Sequence, residues 1–418
     1  MHVRSRVLLS LCAATVVAIA IGCSTASTTS TTVVTPPSGG ATSNWGGGGD
    51  GIWRRDANTI YGELYTLDPC KAHQPGSGEY HYHANPVCLR YQLNDNIVGA
   101  NVGSNTATYS ESTGTHTHSP LLGWAFDGYP VYGPYGYSSP TSSTSGVRRM
   151  VSSYAIRKDN TTTRTSLPAW AATYQGRSAT LTTTEYGPAV SATYPLGRYV
   201  EDYDYTAGSG DLDQYNGRFG ITPEFPAGTY AYFVTIDAAG APAFPYYLGP
   251  QFYGTASGGN VTAVTETTTT YFANHALAGT VSVVPGIFSW FTGNSSQYAK
   301  VISQSNVSAG AQTTWSGTTA PVYADIQQLR YSPTYVYVNT SGLASHVMGP
   351  WFNDANKTVP FPNYPKDQAA TSRMPLSPAV ASSKTATGGG AQGRWVNGAA
   401  MFNMLDFHSW SNSAQADQ

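Results

Sequence analysis

The sequence predicts an all-β, mostly antiparallel protein, on three observations. Only 11% of the 418 residues are charged. An average soluble domain carries about 25%, so long charged helices and coiled coils are disfavoured. The 44 Gly and 26 Pro interrupt helices, while abundant Thr, Tyr and Val favour pleated surfaces. Short runs of period two recur between turn residues, at 228–236, 322–331 and 334–338, and turn one face of each strand inward. No long amphipathic helix interrupts them. A net charge of −2 leaves no clustered Lys and Arg for phosphates, which excludes a nucleic-acid partner. The length allows one large or two medium domains.

In chain order, residues 1–22 read as a lipoprotein signal peptide. Arg4 and Arg6 supply the positive start, and the apolar run 7–21 is short for a membrane span. Ala20-Ile21-Gly22-Cys23 resembles a bacterial lipobox, with Cys23 the lipidated residue. The Ser/Thr-rich stretch 23–45 has almost no apolar anchors and reads as a tether. The expectation is an exported protein of the bacterial cell envelope, lipid-anchored at the outer membrane or cell surface. Ordinary signal cleavage with an incidental cysteine is the alternative. Cys12 and Cys23 belong to this leader, leaving Cys70 and Cys88 as an even pair in an oxidising compartment. They are expected to form a disulfide, contributing about 3 kcal/mol through the loop it closes; two free buried thiols are the other reading.

Chemistry concentrates between these cysteines. Five of the nine His (His73, His81, His83, His116 and His118) fall within 46 residues. On a strand, His81 and His83 share one face while Tyr80 and Tyr82 take the other, from which the two phenols are expected to support the histidine ligands. Two same-face imidazoles can converge on one cation, and both copper and zinc accept them. His116 and His118 repeat the spacing. The competing reading is imidazoles hydrogen-bonded inside an aromatic sheet.

Asp127 follows, among Gly and Pro, and could orient an imidazole as a supporting carboxylate or close an Asx-turn before Gly128. A His118–Ser119 hydrolase pair has poor geometry, because adjacent strand residues face opposite ways. Further on, Asp211, Asp213 and Asn216 resemble a calcium loop one residue out of register, with a turn-rich solvated loop as the default.

Several blocks resemble the YHYH-domain family of secreted and envelope proteins. They are Asp68-Pro-Cys-Lys-Ala-His73, Gly78-Glu-Tyr-His-Tyr-His83, Asn85-Pro-Val-Cys-Leu89, His118-Ser-Pro120 and Ala125-Phe-Asp-Gly-Tyr-Pro-Val-Tyr-Gly-Pro134. Tyr199-Val-Glu-Asp-Tyr-Asp204, Thr222-Pro-Glu-Phe-Pro226 and Leu248-Gly-Pro250 continue the likeness, which covers residues 53–254. His73, His81, His83 and His118 lie in these blocks; His116 does not and is the weaker ligand candidate. Ala324-Asp-Ile-Gln-Gln-Leu-Arg-Tyr331, Ser341-Gly-Leu-Ala-Ser-His-Val-Met-Gly-Pro350 and Phe402-Asn-Met-Leu-Asp406 resemble the half that normally comes first.

The resemblance thus implies a circular permutation. The family's second half occupies 46–254 and its first half 285–410, with a Thr-rich bridge at 255–284 and a tail at 411–418. Such an exchange requires residues near Trp410 to meet Gly51 and Trp53. It also implies one large, sandwich- or barrel-like domain rather than two independent β domains.

The family resemblance supplies no activity. One functional expectation is a metal-binding envelope protein, with His81, His83, His118 and His73 as ligands and copper or zinc as cation; calcium is the weaker candidate. An open coordination position would make it a metal-assisted hydrolase or oxidoreductase. Another is a surface recognition or scaffold module, whose Tyr and Trp grip a glycan or an envelope protein.

Overall fold

A computed structural model of the chain describes residues 48–59, 64–159, 161–273, 276–277, 289–290, 297–302, 312–314 and 322–418. The leader, Cys23 and the tether lie outside the described residues, as does most of 274–284.

The all-β expectation holds. The main sheet has eight strands, and its order mixes distant parts of the chain. From one edge they are Gly217–Gly220, Thr229–Phe233, Pro130–Tyr132, Leu121–Ala125, Gly393–Trp395, Ala400–Met401, His81–Tyr82 and Ala72–His73. Most neighbours are antiparallel, but Ala400–Met401 runs parallel to His81–Tyr82, and Thr229–Phe233 parallel to Pro130–Tyr132. A C-terminal hairpin therefore fills the middle of a sheet otherwise built from residues 72–233.

A second sheet of six strands runs Gly259–Asn260, Ala370–Pro375, Tyr335–Thr340, Ile326–Tyr331, Thr269–Ala273 and Ala276–Leu277. The Thr-rich segment expected as a bridge therefore contributes strands, consistent with the β preference of Thr on half-buried pleats. A third sheet joins the chain's two described ends. Arg54–Asp56 pairs with Leu405–Ser411, and the Trp410 N–H donates to the Trp53 carbonyl at 2.9 Å. The contact that the exchanged-halves reading requires is thus present.

The two α-helices among the described residues are short. Val87–Gln92 carries Cys88 directly after Pro86. Ala169–Gln175 begins after Pro168 and stops at Gly176, which is left-handed with φ 62°. Proline before the first turn and glycine just past the last is the usual asymmetry of helix ends.

One extended core packs Trp395, Tyr82 and Leu122 from the main sheet with Ile326, Val338 and Met374 from the second. A smaller cluster holds Trp53, Tyr199 and Trp410. Close strand approach explains one glycine. A Cβ on Gly393 would sit 2.4 Å from the Trp124 carbonyl oxygen of the neighbouring strand. Gly393→Ala is therefore expected to cost about 1–3 kcal/mol by overpacking, measured as a lower urea midpoint. Gly388→Ala, where a Cβ meets nothing within 4 Å, should leave the midpoint almost unchanged.

Candidate metal centre

The centre starts from a hairpin at the edge of the main sheet. Pro75-Gly-Ser-Gly78 turns the chain, with the Gly78 N–H donating to the Pro75 carbonyl at 2.8 Å and Gly78 at φ 78°. The strands on either side pair so that His73 lies directly opposite His81. His83 follows two residues later on the same face. Register and pleat together bring three imidazoles to one place. One nitrogen from each lies within 4.8 Å of the others, and all three residues are buried.

The outer nitrogens are held by the protein. His81 Nδ1 donates to the Glu79 carbonyl at 2.9 Å, and His83 Nδ1 to the Asn403 carbonyl at 2.8 Å. A carbonyl only accepts, so both Nδ1 atoms carry the hydrogen. In the neutral rings Nε2 is then a lone pair, and the two Nε2 atoms are 2.9 Å apart. Two lone pairs at that distance repel unless a proton or a cation is shared between them. His73 Nδ1 bonds the Thr66 hydroxyl at 2.7 Å. Phe402 stacks on His81 with centroids 3.8 Å apart, and Phe361 lies near His73. Zinc–imidazole bonds of about 2.0–2.1 Å separate two ligand nitrogens by about 2.9 Å at a right angle and about 3.4 Å at the tetrahedral angle. The His81–His83 pair already lies in that range.

The opposite face of the same strand does different work. The Tyr80 hydroxyl donates to Asp68 Oδ2 at 3.0 Å. Asp68 also accepts from the backbone N–H groups of Cys70, Ala72 and Gly349. Burial pushes its carboxyl up to about 6 against those donors. The Tyr82 hydroxyl meets Nε2 of His346, whose Nδ1 lies 3.2 Å from the Val347 carbonyl and 3.3 Å from Cys70 Sγ. Cys70 and Cys88 are disulfide-bonded, as expected, across a separation of 18 residues. With its sulfurs joined, this second His/Cys group offers no thiolates to a metal. Tyr80 and Tyr82 therefore support the disulfide side, not the imidazole trio. The sequence does not mark Asp68 and His346 as site residues, although both lie inside the family-like blocks. A lone buried acid or histidine carries no pattern.

Other expected ligands stand elsewhere. His118 is not part of the trio: its ring packs against Tyr132, Tyr137 and Phe233, and its Nδ1 bonds the Ser119 carbonyl at 2.8 Å. The physical reason is the inserted hairpin Gly393–Met401, which separates the strand after His118 from the one carrying His81. His116 stacks on Tyr135 at 4.1 Å. Asp127 touches no imidazole among the described residues. Its Oδ2 accepts from the Tyr232 hydroxyl at 2.6 Å and the Gly254 N–H at 2.8 Å, and its Oδ1 from the Tyr129 N–H at 3.2 Å. That is the Asx-turn reading, with burial raising the carboxyl to about 6.

The calcium reading also gives way. Asp211 forms an ion pair with Arg148. Asp213 Oδ1 accepts from the N–H groups of Tyr215 and Gly217 and from the Tyr230 hydroxyl. Asn216 is buried and donates to the Phe233 carbonyl at 2.9 Å. The three side chains serve three separate tasks.

One buried carboxylate is coupled electrostatically to His83. Asp56 accepts from the Tyr246 hydroxyl at 2.6 Å and the Asn58 N–H at 2.9 Å. Burial raises it to about 7; the nearby Asp406 pushes the same way, and His83 pulls it down.

A family model described as YHYH protein matches residues 6–245, more than half of the chain. No curated protein and no solved structure matches.

Burial holds His346 down at about 4, below the ordinary imidazole value of about 6.5. Unfolded chains therefore take up this proton first. The stability from the neutral ring is fully present above about pH 6.5 and is lost as pH falls toward 4. His346→Asn should remove a loss of about 3 kcal/mol across that window. The check is the difference between wild-type and variant urea midpoints from pH 7 to 4, which cancels the opposing titration of buried carboxyls.

Proposed function

This chain belongs to the YHYH protein family, and we propose that it binds one copper or zinc ion through His73, His81 and His83. The observation that carries the reading is the pair of inward Nε2 atoms 2.9 Å apart, each with its Nδ1 fixed on a carbonyl. Holding the outer nitrogen on a backbone acceptor selects the tautomer and ring angle a metal needs. Imidazole ligands suit both cations, and a right-angle pair suits tetragonal copper in particular. Asp56 would supply the counter-charge: a cation beside it favours the ionised carboxylate, so loading releases a proton.

Three ligands leave a position for water, which is what metal-hydroxide chemistry requires. Burial weighs toward holding the ion rather than turning over a large substrate, because His73, His81 and His83 are only 5%, 3% and 1% exposed. The reading includes export to the cell envelope and lipid attachment at Cys23, supported by the disulfide, which persists in an oxidising compartment. It also includes the exchanged order of the family's halves, supported by the pairing of Arg54–Asp56 with Leu405–Ser411.

The purified mature chain should bind one equivalent of Zn²⁺ or Cu²⁺ by calorimetry and elemental analysis, with proton release that varies with buffer. His81→Ala/His83→Ala should abolish binding, and Thr66→Val should weaken it about 10–100-fold. His118→Ala should leave it unchanged. Absence of stoichiometric metal after loading, or unchanged binding in the double variant, would reject the proposal.

A further inference from the structure

The structure assigns a saccharide site to an open cleft of about 290 Å³ beside the helix Ala169–Gln175; we propose that it takes a neutral pyranose. Three aromatic rings wall it. Tyr154 and Tyr205 are direct partners on the antiparallel pair Tyr154–Ile156 and Tyr203–Tyr205, and Trp170 comes from the helix. Tyr154 meets Trp170 edge to face with centroids 6.1 Å apart, and Tyr205 at 5.4 Å.

Two of the polar tips are already engaged with the protein. Trp170 Nε1 donates to the Tyr203 carbonyl at 2.8 Å, and the Tyr154 hydroxyl to the Gln214 carbonyl at 2.8 Å. These bonds fix the rings and leave aromatic carbon to face the cleft. Asp204, Gln214 and Gln251 stand among the aromatics, the first two exposed and the third half-buried.

That composition matches one ligand chemistry. A pyranose has an apolar C–H face, which stacks on aromatic carbon, and a rim of hydroxyls that both donate and accept. A carboxylate and two primary amides answer such a rim with acceptors and donors. No Lys or Arg among the described residues lines the cleft, and the charge of Asp204 repels anions, so phosphorylated or uronic sugars are disfavoured. A quaternary ammonium would use the rings and the carboxylate but neither amide. The volume is near the lower end of small-molecule sites, at about 300 Å³, which suits a short saccharide end. The site does not depend on the histidine trio.

The test is an array of neutral glycans probed with the mature chain, followed by saturation-transfer NMR and calorimetry on the glycans retained. Ring C–H protons of a neutral sugar should show the strongest transfer. Trp170→Ala should weaken binding at least about tenfold. Asp204→Asn, a near-isosteric change at an exposed position, should weaken it severalfold, and His81→Ala/His83→Ala should leave it intact. Retention of no neutral glycan overturns the proposal. So does undiminished affinity in both cleft variants, or saturable binding of choline or glycine betaine in place of sugars.

Discussion

The parallel pairing of Ala400–Met401 with His81–Tyr82 is the constraint on which the site depends. With Ala72–His73 on its other side, this short strand has a neighbour on both edges and cannot slip. A one-residue slip would exchange its faces. With the register held, period two sorts the YHYH segment: imidazoles to one side, phenols to the other. The histidine face becomes a cluster of imidazole nitrogens closed by Phe402 and the Asn403 carbonyl. The tyrosine face becomes a support for Asp68, His346 and the disulfide. The walls draw on Asn403, 320 positions from His83, and on His346, 264 positions from Tyr82, as well as on the local hairpin, so the site forms only when the sheet is complete.

This division explains what could be read from the sequence. His73, His81 and His83 were legible because hairpin pairing and strand alternation are local rules. The cysteine pair was legible from counting. The fate of His118 was not, since nothing near it announces a hairpin from residues 393–401 arriving between its strand and that of His81. Asp127 had two local readings, and the deciding partners, Tyr232 and Gly254, lie more than 100 residues away. The Thr-rich bridge looked like a linker by composition, but Thr is also a strand former, and pairing with 326–331 and 370–375 selects the second role. Non-local contacts separated the correct readings from the others in each case.

The low charge content has a counterpart inside. Arg90 is buried between Asp95 and Glu111, Arg164 binds Asp202, and Arg54 binds Glu201. Losing one partner of such a pair leaves a desolvated charge, so breaking one costs about 3–5 kcal/mol. Arg54–Glu201 and Arg55–Asp406 also tie the segment before the YHYH hairpin to distant parts of the chain.

Tyrosine completes the account. With only 21 Lys and Arg but 30 Tyr, carboxylates find phenols in place of cations. Tyr80 serves Asp68, Tyr246 serves Asp56, Tyr232 serves Asp127 and Tyr230 serves Asp213. Tyr132 does the same for Glu224, while Tyr199 shares Asp417 with Arg198. A phenol O–H can donate to a carboxylate and equally to the carbonyl oxygen of the protonated acid. Such a bond survives the titration that breaks an ion pair. Burial raises Asp56, Asp68 and Asp127 to about 7, 6 and 6, so these acids change charge near neutrality. The phenols let them do so without losing their partners. Asp56 is the one of the three on which His83 acts electrostatically. The Tyr-rich, charge-poor composition therefore supplies buried carboxyls with partners that hold them in either charge state.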